Sequence, residues 1–190
     1  MSTDFEQQVK CLNGLVTTGL SATDKVNATA QIRADGGIVT NSLHSTNKII
    51  SNKIMITPEG GIAIAMVNKT GSPSVKGTLV VPATQKYGVA LVTIGDPDCI
   101  GVMYQDGIAD GQNCWVVICG YADVFFVGNA TIGQFARICA TGDAGKEDGK
   151  AIAENLPTSP FATDKHFQEI RHVTETRTGA GLAGVILHFN

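Results

Sequence analysis

The chain has 190 residues, enough for one sizeable core, with 22 glycines, 16% charged residues and a formal charge of −3; this wealth of glycine and poverty of charge point to an all-β protein rather than a helical one. The negative balance, with no run of lysine or arginine, gives no hold on phosphate backbones, so no direct nucleic-acid partner is expected. Five cysteines without framework spacing imply free thiols in a reducing place of synthesis, no apolar run reaches the roughly 18 residues of a membrane helix, and no secretion signal is visible.

In chain order, residues 12 to about 56 are rich in Thr, Asn, Ser, Ala and Gly with isolated apolar residues, a composition that does not easily close a core alone. Two pieces within and just beyond it, QIRADGGIVT and NKIMITPEGGIAIAMV, set a glycine pair between apolar alternations, the mark of a tight hairpin turn. The expected division is an N-terminal arm or β-stalk over 1–58 and a compact β-domain over 59–190.

From residue 60 onward, short alternating segments recur every ~8 to 12 residues, as in a sandwich or barrel. They place strands at 61–67, 77–83, 87–93, 98–104, 113–119, 121–127, 135–140, 166–175 and 182–189, with Gly, Asp, Asn and Pro turns between most of them. The stretch TIGQFARICA is the one helical candidate, with Thr131 as cap over Phe135 to Ala140. The glycine- and proline-bearing stretch 141–163 reads as an exposed loop.

Within NCWVVICGYADVFF, extended geometry puts Cys114 with Val116 and Ile118, and Cys119 with Trp115 and Val117 on the other face. A disulfide between these two cysteines within one strand is therefore excluded, and both read as buried thiols.

Four histidines, His44, His166, His172 and His188, are the natural catalytic candidates. His166 and His172 could share a strand face with Ile170 and Thr174, and a hydrolase would bring one of them to Cys139 or Ser159 with Asp164 as orienting carboxylate. No nucleophile elbow or cysteine-protease signature accompanies them. A metal held by His166 and His172 with Asp164 or Glu169 fits no established ligand spacing, and GDAGKEDGK lacks the G-x-x-x-x-G-K-[ST] phosphate loop. The carboxylate pairs Asp96/Asp98, Asp106/Asp110 and Glu147/Asp148 lie in glycine-bearing turns, where backbone hydrogen bonding explains them. The expectation is no catalytic residue, no metal, no cofactor and no enzymatic activity.

The residue order from Val75 carries a different signal: VKGTLVVPA, DPDCIGVMYQDGIADGQNCWVVICGYADVFF, ATIGQFARICATGDAG, and HFQEIRHVTETRTGAGLAGVILHFN at the end. It resembles the small β-rich head proteins of tailed bacteriophages, the decoration or cement proteins and related head fibres, over about residues 60–190. The resemblance implies a mainly β fold, a small β-barrel or β-sandwich (β-tulip-like) domain with an extended N-terminal arm or β-stalk. It implies a virion structural protein, made in the host cytoplasm, that binds the major capsid protein on the outer shell as a homotrimer and stabilises it, with no membrane partner. The alternative is a head fibre or host-recognition protein that binds a receptor or glycan; a hydrolase stands third. It supplies no catalytic residues. Contact candidates follow from position alone: Ile32, Ile38, Leu43, Ile49, Ile50, Ile54 and Ile56 of the arm, and Phe161, His166 and Arg177.

Overall fold

Alternating Val, Ile and Ala bury one side chain in two against a pleated neighbour, and the chain uses that pattern almost throughout. The structure is a computed structural model, described here for residues 49–50, 53–155 and 169–188. These residues belong to the unit His44–Asn190; the other unit, Met1–Leu43, lies outside the described residues, as does the piece QIRADGGIVT. The strands are β1 (Ile49–Ile50), β2 (Ile54–Ile56), β3 (Gly61–Asn68), β4 (Leu79–Pro82), β5 (Gly88–Leu91), β6 (Gly101–Met103), β7 (Asn113–Phe126), β8 (Phe135–Ile138), β9 (Ala151–Glu154), β10 (Glu169–Val173) and β11 (Gly181–His188). Among the described residues no helix forms, so the protein is mainly β as its composition and turn chemistry indicate.

The strand order is β1-β2-β3-β5-β4-β6-β7-β11-β10-β8-β9, with further pairings of β3 with β7 and of β7 with β9. Those extra pairings close two circuits of hydrogen-bonded strands: β3-β5-β4-β6-β7 and β7-β11-β10-β8-β9. Strand β7 is common to both. Its first half pairs β3 and β6, its second half pairs β11, and at its end Phe126 meets Ala151 of β9.

The continuity of β7 corrects the reading of 113–119 and 121–127 as two strands. Gly120 has φ 79°, yet the chain does not reverse there. Along β3 the partner steps from Cys119 opposite Ile62 to Val117 opposite Ala63, which leaves Ile118 as the extra residue of a bulge. One extra residue inverts the alternation. Before it the main core takes odd positions, with Val117 buried and Trp115 packed against it; after it the core takes even positions, Ala122, Val124 and Phe126. A second cluster, Val80, Val89, Met103, Cys114 and Val116, fills the other face of the first half. The expected sides of Cys114 and Trp115 are thus observed, but Cys119 is exposed rather than buried.

Three further expectations change. TIGQFARICA ends in strand β8, because Ala136 and Ile138 pack into the main core between β10 and β9, and tertiary pairing overrides the capping signal. The stretch 141–163 is not loop throughout: Ala151–Glu154 is strand β9, with Ala151 fully buried. Residues placed in the arm belong to the sheet, since β2 pairs β3 and buries Met55 against Ala63, so the sheet begins upstream of residue 59.

Candidate functional site

Three of the described thiols, Cys99, Cys114 and Cys139, sit in environments opposed to nucleophilic use. Burial pushes Cys99 up to about 12 and Cys114 up to about 11, and Cys139 also rises, whereas a reactive cysteine needs its pKa lowered. Cys139 is fully buried, while His172 is exposed and stacks on Phe135 at 4.9 Å. His172 is the Cα partner of Phe135, four residues before Cys139, a separation of about 13 Å along a strand. The two do not form a nucleophile–base pair.

A register shift between Glu169 and Arg171 also parts residues expected on one face: Ile170 is buried and His172 exposed. His166, Asp164, Ser159 and Phe161 lie outside the described residues, and among the described residues no three His, Cys, Asp or Glu side chains gather as a metal-ligand set.

The carboxylates in turns do bind backbone amides, and mostly over long range. Asp106 accepts from the Lys76 amide at 2.7 Å, Asp110 from Gly71 at 2.9 Å and Asp148 from Ile94 at 2.9 Å, while Asp96 accepts from Asp98 at 2.9 Å. Three of the four therefore staple one loop to another.

A polar cleft lies where the β2–β3 turn, the segment before β4, the end of β6 and the second half of β7 meet. Lys76 Nζ stands 2.7 Å from Asp123 Oδ2 and 5.9 Å from the Tyr104 ring, and the Tyr104 hydroxyl is 3.5 Å from Glu59 Oε2. The hydrogen bond to Asp123 holds the Lys76 ammonium in its charged form, and burial keeps the Tyr104 and Tyr121 phenols protonated. The cavity they line, about 10 Å³, admits one water and no substrate.

The surface shows a stronger pattern. Ile54, Ile56, Ile62 and Ile186 are 53%, 42%, 42% and 42% exposed, unusual values for isoleucine inside sheet strands. The register gathers them. Ile56 pairs Ile62, which pairs Cys119 on β7, and two residues further along β7 a second row runs Tyr121, Ile186, His172, Phe135 through β11, β10 and β8. The result is one apolar and aromatic outer face from β2 across to β8.

Of the sequence-derived contact candidates, Ile54 and Ile56 stand on this face. Ile49 and Ile50 form β1 at its margin, paired with Ile56 and Met55. Arg177 does not join it: its Nη1 and Nη2 donate to the Leu182 and Ala180 carbonyls and brace the β10–β11 turn. Ile32, Ile38, Leu43, Phe161 and His166 lie outside the described residues. Ile62, Ile186 and Phe135 were missed, although their outward positions follow from alternation once the bulge and the register are known.

A buried ion cluster was also missed. Arg137, 4% exposed, donates from Nη1 and Nη2 to Asp143 and from Nε to Glu154. Its guanidinium is held more firmly protonated than usual, chiefly by the bond to Asp143. The cluster ties the loop after β8 to β9 and is fully hydrogen-bonded, which is a structural role.

Comparison with models of known protein families finds no match to this sequence, and comparison with curated proteins finds none either.

Proposed function

We propose that the protein is an adhesive structural module, an auxiliary capsid protein of a tailed phage that assembles as a homotrimer on the outer shell and contacts the major capsid protein. The observation that carries this reading is the isoleucine-rich outer face spanning β2, β3, β7, β11, β10 and β8. A face that wide is costly to leave in water: each of these isoleucines, about half exposed, forgoes on the order of 1 kcal/mol that covering it would supply. A second copy of the chain is the natural cover, because closed symmetry is the usual outcome for identical chains; the Lys76–Asp123 pair beside Tyr121 borders the face. The resemblance from Val75 onward supports the same reading and supplies the three-fold stoichiometry. Capsid attachment would then gain from several contacts made at once by one trimer.

The test is sedimentation with expanded and unexpanded phage shells. The proposal expects the wild-type protein to pellet with shells and an Ile62→Glu/Ile186→Glu variant to stay in the supernatant; a wild-type protein indifferent to both shell forms contradicts it.

One observation favours the second reading, a head fibre or host-recognition role. Tyr87, 62% exposed on the β4–β5 turn, presents an aromatic ring between lysines. The two roles are compatible in one molecule, with adhesion through the isoleucine face and recognition through the turn.

A further inference from the structure

Tyr87 is the one non-glycine residue among those described with a left-handed backbone, φ 61°. A bulky aromatic residue is a poor choice for that conformation, which glycine or asparagine adopts at less cost. The turn that imposes it is firmly built. The Gly88 amide donates to the Gln85 carbonyl at 2.8 Å, the Ala83 amide to the Gly88 carbonyl at 2.9 Å, and the Val67 amide of β3 to the Tyr87 carbonyl at 2.8 Å. The backbone of Tyr87 is thus locked to the sheet while its ring projects into solvent. Strain retained at an exposed side chain points to a use for that side chain.

The surroundings define the use. The Lys53 and Lys86 ammonium groups lie 5.7 and 5.1 Å from the Tyr87 ring centroid, and the Lys69 stem passes beside Gly88. In a chain of net charge −3, Lys53 and Lys86 form a local positive patch at an aromatic residue whose backbone is fixed, while the Lys69 ammonium turns away towards Gly111. Tyr87 stays 62% exposed with these two ammonium groups over its ring; exposed ring surface of this kind offers a stacking surface for the C–H face of a pyranose, and the ammonium groups pair with carboxylate or sulfate. We propose that the β4–β5 turn is a binding site for an anionic saccharide, with Tyr87 as stacking platform and Lys53 and Lys86 as charge partners. This goes beyond attachment to a shell and does not depend on it.

The experiment is binding of the isolated full-length protein, without shells, to oligogalacturonate, heparin oligosaccharide, maltooligosaccharide and polyglutamate by calorimetry at two salt concentrations. The expected result is binding to oligogalacturonate or heparin, the two arms separating carboxylate from sulfate, with little or none to the neutral sugar. Tyr87→Ala lowers that affinity at least tenfold, Lys53→Ala and Lys86→Ala each weaken it and flatten its salt dependence, and Lys146→Ala, in a different loop, leaves it unchanged. Tyr87→Gly keeps the turn intact: it abolishes binding while raising the melting temperature, because glycine relieves the left-handed strain. The inference is overturned by absence of binding to both anionic sugars, by polyglutamate binding as tightly as they do, or by equal effects of the Lys146 and Lys86 variants. A Tyr87→Gly protein that melts lower than the wild type also overturns the claim of stored strain.

Discussion

Arg137 and Asp143 meet through two parallel hydrogen bonds, Nη1 to Oδ2 at 2.7 Å and Nη2 to Oδ1 at 2.8 Å, with the guanidinium almost wholly buried. Removing Asp143 leaves a buried cation without its main partner. Asp143→Ala is therefore expected to cost about 3 to 5 kcal/mol of folding stability by urea denaturation. Glu154, more exposed, bonds the same guanidinium, and Glu154→Gln is expected to cost about 1 kcal/mol or less. Equal losses for the two would contradict the central place of Asp143.

Gly120 permits β7 to serve two circuits. A Cβ there would stand 2.5 Å from the Gly60 carbonyl oxygen, in addition to the left-handed φ. Gly107 shares the positive φ, 75°, but has open space around it. Gly107→Ala is expected to cost about 1 to 2 kcal/mol for the backbone alone. Gly120→Ala adds a backbone collision and exceeds it. A Gly120 variant no less stable than the Gly107 variant would show that the close approach of β7 to Gly60 and Gly61 tolerates a side chain.

Alkaline stability follows from the thiols. Cys99 and Cys114 ionise near pH 9 when unfolded, and at about 12 and about 11 when folded. Because the folded state keeps its protons longer, their contribution is whole below pH 9 and is lost as pH rises from 9 towards those folded values. Each thiol steepens the decline towards a limit of about 1.4 kcal/mol per pH unit. Cys99→Ala/Cys114→Ala should be less stable at pH 7, yet flatter from pH 9 to 11 in denaturation at a series of pH values. An unchanged slope would count against burial as the cause.

Cys119 lies on the outer face as the Cα partner of Ile62. If identical chains cover that face, Cys119 is shielded in the assembly. Iodoacetamide followed by peptide mass spectrometry is expected to label Cys119 slowly in the wild type and at least tenfold faster in Ile62→Glu/Ile186→Glu. Rapid labelling in the intact assembly would remove Cys119 from the interface.

The sequence carried the class of fold and most of its strands because alternation and turn residues are local properties. GIAIAMV and GTLVVPA were legible for that reason, whereas FARICA carried both a strand and a helix signal. What escaped was set by contacts distant in sequence. Gly120-Tyr121 has the chemistry of a turn, and only its pairing with Gly61 and Leu187 shows it to be mid-strand. AIAE has too little apolar content to stand out from its glycine-rich surroundings, and becomes β9 because β8 lies beside it. The outer face depended on the shift at Ile118 and on which strands adjoin β7, so Ile54 and Ile56 were named without the Ile62, Ile186 and Phe135 that complete their surface. Tyr87 could not be singled out, since nothing in TQKYGV marks the residue before glycine as left-handed.

The central claim, that the isoleucine face exists to be covered by further copies of this chain, is tested most directly by the solution mass from equilibrium sedimentation. The account predicts three 19.9-kDa chains for the wild type and a folded single chain for Ile62→Glu/Ile186→Glu. A wild-type protein that sediments as one 19.9-kDa chain at every concentration tested would contradict it.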